Sequence, residues 1–396
     1  MISLAGRDLQ HSWKRFVLTG MGLGLLIGVT LTMAGVYRGM VDDAEALLAN
    51  SGADLWVVQQ DTQGPYAESS SLRDDVVQAV RGMPGVAAAA NITYFTMQVR
   101  QGQRDVRATV VGIEATGPGG PTHLVAGRHI DRSHHEAVAD IKAGFAVGDR
   151  VRIRRHDFTV VGLTQRAVSS GGDPMVFVPL KDAQEAQFLK DNDAIIADRR
   201  RLEANPTFNR PGQPGLLDAV KNLQTSSHSV NAVLVQAANG FSHNEVAAGL
   251  RRWKHVSVFT RAQMHDILVA KLIANSARQI GMFLAILAVV SAAIVAFIIY
   301  TMTMGKLREI AVLKLIGTRD RTIAAMILQQ ALGLGLIGFG VGKLAATLWA
   351  PAFPKFVLLL TQDAITGLMV TLGMCGLAST LAIRIALKVD PGEAIG

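Results

Sequence analysis

Lys306-Leu307-Arg308-Glu309-Ile310-Ala311-Val312-Leu313-Lys314-Leu315-Ile316-Gly317-Thr318 is a short charged stretch between two apolar runs, each long enough to cross a membrane. Leu307, Ile310, Leu313 and Ile316 recur at three-residue steps, while Lys306, Arg308, Glu309 and Lys314 supply charge. Gly317 offers a stop suited to a positive φ. The stretch therefore reads as a short helix on the cytoplasmic side, clamped between two spans, where a soluble partner could push on the membrane part. The competing reading is an ordinary basic loop, which cytoplasmic connections of membrane proteins commonly are.

Apolar residues make up 49% of the 396-residue chain and crowd toward its two ends. Residues 16–37, about 279–304, 323–349 and 364–383 each approach or exceed the ~20 residues that cross a hydrocarbon core. The first run is too long for a signal peptide, and Tyr37, Arg38 and Met40 follow it where a small-residue cleavage site would stand. It reads as a retained anchor. Lys343 lies toward the outer end of the third run, where a lysine can snorkel to the interface.

Basic residues set the orientation. Arg7, Lys14 and Arg15 precede the first span; Lys306, Arg308, Lys314, Arg319 and Arg321 fill the connection between the second and third; Arg384 and Lys388 follow the fourth. All three segments are expected in the cytoplasm, which leaves the long segment after the first span outside it. The expected fold class is a membrane protein with four transmembrane helices and a large α+β extracytoplasmic domain between the first and second. The expected order is an interfacial helix at 1–15, a span at 16–37, an extracytoplasmic domain at 38–272, and a stalk end with the second span at 273–304. A cytoplasmic helix at 305–322, a span at 323–349, an external turn at 350–363, a span at 364–383 and a cytoplasmic tail at 384–396 complete it.

Gly20, Gly24 and Gly28 recur at four-residue intervals in the first span, and Gly338 and Gly342 do so in the third. Such stripes let helices approach closely. The external segment alternates strand-like runs, among them Thr93–Arg100, Asp105–Ile113, Phe158–Leu163 and Met175–Val178, with Gly, Pro and Asp turn signals. Between about 192 and 229, arginines, prolines, Ser and Asn replace any periodicity, which predicts a long exposed loop or insert. Thr260 and Gln263 match a capping box, and no Pro or Gly follows before Gly281, so one helix is expected to run from the external domain into the second span.

Catalytic, metal and cofactor sites are not expected. Gly342-Lys343 fails as a phosphate loop, because Leu344 follows it, Ile337 stands where the first glycine belongs, and it lies in a span. His123, His129, His134 and His135 lack helical ligand spacing, and Cys375, the single cysteine, lies in the fourth span, so the external domain holds no disulfide. The net charge of +8 follows from topology and contact with anionic lipid, with no nucleic-acid motif beside it.

Three segments resemble the MacB/FtsX superfamily of ABC-transporter permeases. Arg308-Glu309-Ile310 with Leu313, Lys314 and Gly317 resembles the family's coupling segment. Glu136-Ala137-Val138 through Gly148-Asp149-Arg150-Val151 to Phe158-Thr159-Val160-Val161-Gly162 resembles its periplasmic core domain, and Val389-Asp390-Pro391-Gly392-Glu393-Ala394-Ile395 resembles its terminal motif. The chain lacks MacB's fused ATPase domain and is similar in this to stand-alone permeases of the DevC or haem-exporter type.

The resemblance implies a homodimer in a bacterial inner membrane, with its large domain in the periplasm and two copies of a separate ABC ATPase. ATPase closure would move the helix containing Lys306, Arg308, Glu309, Ile310, Leu313, Lys314 and Gly317, and so shift the external domains to drive export. A DevC-like or MacB-like subunit would add a periplasmic adaptor and an outer-membrane channel. The resemblance leaves open a lateral-entry exporter of haem or hydrophobic compounds, and a non-transporting regulator of a cell-wall hydrolase, as FtsX is.

Overall fold

The computed structural model describes residues 13–187, 200–207, 215, 217, 228–253, 255–353 and 355–388. The first twelve residues of the expected interfacial helix, most of the 192–229 stretch and the terminal motif at 389–395 lie outside the described residues. Two compact units are present, Met1–Val41 with Ala274–Gly396, and Asp42–Ile273.

Helix α1 (Trp13–Asn50) contributes to both units and is a single helix of 38 residues. The expected span and the first residues of the expected external domain are thus one element, because nothing between Met40 and Asn50 interrupts the backbone hydrogen bonds. Ser51 and Gly52, with φ of +60° at Gly52, end it.

The Asp42–Ile273 unit is built on a sheet of ten strands: β1 (Leu55–Gln59), β3 (Val86–Gln101), β4 (Arg104–Ile113), β5 (Leu124–Gly127), β6 (Glu136–Asp140), β7 (Arg150–Ile153), β8 (His156–Thr164), β9 (Met175–Pro179), β11 (Ala232–Ala237) and β12 (Val256–Thr260). Strands β2 (Leu72–Arg73) and β10 (Ser229–Val230) pair separately. Helices α2 (Val76–Arg81), α3 (Leu180–Gln187), α4 (His243–Arg251) and α5 (Arg261–Asp266) also belong to the unit. The sheet order is β12-β1-β11-β3-β4-β9-β6-β8-β5, with β7 joining β3 to β8.

Its spine is the β3–β4 hairpin, paired in register from Ile92 with Ile113 to Gln101 with Arg104, which leaves a two-residue turn at Gly102-Gln103. Such a turn matches the twist of its strands. The two parallel pairs, β4 with β9 and β6 with β8, mix with antiparallel ones, giving the expected α+β character. One core gathers Val99, Val110, Phe158, Val160 and Val176; a second gathers Leu55, Val57, Val77, Val233 and Leu250. Each fully buried Val, Leu or Phe contributes about 1.5–3 kcal/mol, so two such clusters stabilise the unit without disulfides.

The other unit combines the Trp13–Val41 part of α1 with α6 (Ala274–Met304), α7 (Leu307–Leu315), α8 (Asp320–Trp349) and α9 (Thr361–Lys388). Among the described residues, four helices are long and apolar enough to cross a membrane. Leu23, Ile27, Val295, Ile299, Ile327, Leu334 and Ala378 pack inside this unit. Its outer face is equally apolar: Val289 is 70% exposed, Leu348 73% and Leu377 73%. A surface of that composition is stable only against lipid, and the chain is a membrane protein. Between α8 and α9, a 3-10 turn (Ala350–Ala352) leads into an extended segment whose Leu358 N–H donates to the Gly35 carbonyl at 3.0 Å. Arg38 meets Asp363 at 3.2 Å near the start of α9.

Candidate functional site

Helix α7 is short because its two ends are set locally. Gly305 N–H and Lys306 N–H donate back to Thr301 and Thr303 carbonyls, closing α6, and the Ile310 N–H then opens α7 with a bond to the Lys306 carbonyl at 2.9 Å. At the other end Gly317 takes a φ of +85°; its N–H donates to the Lys314 carbonyl, and the Thr318 N–H donates to the Leu313 carbonyl, each at 3.0 Å. These two bonds are the Schellman pair that a glycine just past a helix permits.

Ile310 and Ala311 are buried, and Leu307 and Leu313 are half-buried. Ile316 differs from the sequence expectation, being 76% exposed. The reason is geometric: at about 100° per residue, nine residues rotate the chain by half a turn, so a strict three-residue repeat drifts from one face to the other. Arg308 and Glu309 are exposed, and Val312 and Leu315 lie open beside them. Lys314 points elsewhere: its Nζ donates to the Leu387 carbonyl at 2.7 Å, near the C-terminus of α9. A cation there satisfies a carbonyl that the helix itself leaves without a partner. The helix thus has a fixed inner side, held by Ile310, Ala311 and Lys314, and an outer side of mixed charge and apolar surface.

The glycine stripes meet across a seam between α1 and α8. A Cβ on Gly24 would stand 2.9 Å from the Gly338 carbonyl oxygen, one on Gly28 3.0 Å from the Gly342 oxygen, and one on Gly338 2.9 Å from Leu23. Gly20 faces Ile337 in the same seam. Below it, the Trp349 indole N–H donates to Thr32 Oγ1 at 2.7 Å, and Thr32 donates on to the Gly28 carbonyl at 2.8 Å. Sequence spacing identifies the stripes but not which helices they join; the Trp349–Thr32 bond leaves no sequence signal.

In the Asp42–Ile273 unit, Thr260 caps α5. Its backbone N–H donates to Gln263 Oε1 at 3.1 Å, and Arg251 donates to the same oxygen at 2.8 Å. The helix that follows is continuous but not uniform, since Ile267–Ile273 is a π-helical turn between α5 and α6. The regular helix expected over this stretch is therefore replaced, for seven residues, by a wider turn of a kind often found where a helix serves a function.

Glu136, in the segment resembling the periplasmic core domain, is 5% exposed. The Arg128 guanidinium binds both its oxygens and, together with N–H groups of Asp131 and Arg132, holds its carboxyl down from 4.5 to about 2, against the opposing effect of burial. The histidines are dispersed in role: His134 Nδ1 bonds Asp182 at 2.6 Å, His123 bonds Thr122 at 2.9 Å, His135 stacks near His156 and Phe158, and His129 lines a separate cavity. Among the described residues no group of three or more His, Cys, Asp or Glu is placed to hold a metal ion.

Residues 16–253 match the model of the MacB-like periplasmic core domain, and residues 281–391 match that of the FtsX-like permease C-terminal region. An "Uncharacterized ABC transporter permease" of Mycobacterium tuberculosis is 27% identical over 402 residues, covering 100% of this chain and 99% of that one. The "Putative hemin transport system permease protein HrtB" of Staphylococcus haemolyticus is 22% identical over 406 residues, with coverage of 100% and 99%. Among solved structures, the periplasmic region of MacB from Actinobacillus actinomycetemcomitans is similar over 58% of this chain and 97% of that one, at 11% identity and a TM-score of 0.35.

Proposed function

Since the chain belongs to the MacB/FtsX superfamily of ABC-transporter permeases, we propose that it is a non-catalytic membrane subunit that carries ATP-driven motion from a separate ATPase to its α+β domain, and so drives export. The observation that supports this best is α7. An exposed face of Arg308, Glu309, Val312, Leu315 and Ile316 is backed by buried Ile310 and Ala311 and by the Lys314–Leu387 bond. A docking surface on a loose loop would yield when pushed, whereas one bonded to the end of α9 passes displacement into the membrane helices.

In this reading α7 is cytoplasmic, the Asp42–Ile273 unit lies in the periplasm, and two copies of the chain in the inner membrane engage two ATPase subunits. The α5–α6 helix and the second half of α1 connect membrane and periplasmic parts. Motion passes along them without an aqueous path through the spans, in keeping with their scarcity of ionisable groups. A periplasmic adaptor with an outer-membrane channel completes the export route.

A second reading is favoured by the full-length relative whose name specifies hemin transport: here the cargo enters laterally from the membrane and no adaptor is used. Co-purification from native membranes separates the two. The chain is expected to bring down an ABC ATPase and to hydrolyse no ATP when isolated; capture of an adaptor supports the first reading, and capture of the ATPase alone supports the second. Hydrolysis by the isolated chain would refute both.

A further inference from the structure

The Asp42–Ile273 unit contains a cavity of about 1100 Å³, walled by the last turns of α1, the start of α4, the first turn of α5 and the segments around His123 and Arg166. Its volume arises from side-chain size. Ala46 and Ala49 lie one turn apart on α1, Ala262 lies on the first turn of α5, and none of these short side chains fills the space between the helices. The apolar part of the wall is therefore a shallow shelf, large enough for a drug-sized body.

The charged part of the wall has two carboxylates and two arginines, with His123, His243 and His265 beside them. Of its two carboxylates, Asp42 accepts from Arg166 at 2.8 Å and Glu45 lies 3.8 Å from His265. His243 lies 3.8 Å from Asp54. Asn50 is also engaged, accepting from Thr122 at 3.0 Å and donating to the Arg166 carbonyl at 2.7 Å. Of the two arginines Arg261 alone is free: its backbone N–H bonds the Asp54 carbonyl, while its guanidinium has no hydrogen-bond or ion-pair partner among the described residues. A guanidinium without a partner beside an apolar shelf is complementary to a molecule with an acidic head and an apolar body, because the fork of donors suits a carboxylate or phosphate.

We propose that this cavity binds an amphipathic anion, with its carboxylate or phosphate on Arg261 and its apolar body along Ala46, Ala49 and Ala262. On the export reading above, on which this extension rests, such a molecule is the class of cargo. The site lies on α1 and α5, two elements that a displaced membrane unit would move, so that binding and release couple to the cycle.

The test uses the full chain in phosphatidylcholine nanodiscs with Ala262→Cys as a reporter. Native Cys375 is buried and does not compete for a membrane-impermeant maleimide. Dodecyl phosphate is expected to slow labelling at least fivefold, while dodecyltrimethylammonium, matched in chain length, and inorganic phosphate leave it unchanged. Adding Arg261→Gln, or filling the shelf with Ala49→Leu, should abolish the protection; both positions are exposed, so neither change disturbs a core. Protection by discs containing phosphatidylglycerol, with no added probe, would support the same ligand class and identify the bilayer as its source. Equal protection by the ammonium compound, absence of protection, or persistence in Arg261→Gln would overturn the proposal. If protection holds but ATP and the ATPase subunit leave it unaltered, the site stands and it is the export reading that fails.

Discussion

Replacing Gly342 by alanine places a methyl group in the narrowest part of the α1–α8 seam. Its Cβ would lie 2.6 Å from the Gly24 carbonyl oxygen, 3.0 Å from the Gly28 nitrogen and 3.0 Å from Ile27 Cβ. Two of these are backbone atoms, which no rotamer change can withdraw. Recovering an ordinary separation of about 3.5 Å requires the helices to part by about 1 Å, a gap that forfeits a quarter to a half of each dispersion contact along the seam. Overpacking of this kind costs about 1–3 kcal/mol. The better helix propensity of alanine returns no more than about 1 kcal/mol, so the net effect is destabilising. Gly340 is the internal control, since it lies on the same helix and a Cβ there meets nothing within 4 Å. Thermal unfolding of the detergent-solubilised full chain, followed by tryptophan fluorescence, should show Gly342→Ala melting several degrees below the parent and Gly340→Ala at or above it. Equal melting of the two variants would refute the argument that backbone contact at these glycines holds α1 to α8.

Lys314→Met retains the apolar stem but loses the bond to Leu387, so amide exchange across Leu307–Leu315 should accelerate while the ATPase still binds; unchanged exchange would show that the bond does not brace α7. Glu136 has a depressed pKa, so it stabilises the fold above about pH 4.5, and that contribution disappears as pH falls toward 2. With Arg128 half exposed, its worth is below the ~3 kcal/mol that the full shift would represent; Glu136→Gln should flatten the acid limb of a melting profile, and an unaltered limb would exclude the pair as its source. Inserting Gly-Gly-Pro after Ala270, within the π-helical turn, should abolish export while the α+β unit still folds and the ATPase still binds, because a helix-interior proline costs about 3 kcal/mol or more locally. Normal efflux from that variant would show that force does not travel along this helix.

The four long apolar helices were legible because each rests on a long, mostly apolar run of consecutive residues in the sequence, and the cap at Thr260 because Thr-x-x-Gln is a local hydrogen-bonding pattern complete within four residues. Gly317 was legible for the same reason, since a helix stop with positive φ needs only its neighbours. Features that depend on distant residues were not legible. Lys314 reads as one more charge on the short helix, with nothing to mark its partner until α9 brings the Leu387 carbonyl to it, and the π-helical turn has an unremarkable Ile267-Leu268-Val269-Ala270-Lys271 composition. The 1100 Å³ cavity depends on three alanines drawn from two helices more than two hundred residues apart, a spacing no periodicity reports. Ile316 shows the opposite failure, a pattern read too literally, since a three-residue repeat is not a helical face.

The account rests on α7 receiving the push of the ATPase, and Glu309→Lys examines that directly. Glu309 is exposed in the first turn of α7, so reversing its charge should leave insertion and melting temperature unchanged, as exposed substitutions stay within about 0.5 kcal/mol. The decisive measurement is cargo-stimulated ATP hydrolysis by the reconstituted complex of this variant with its ATPase. The account predicts that stimulation is lost while the protein remains folded in the membrane; full stimulation in a well-folded Glu309→Lys complex would contradict it.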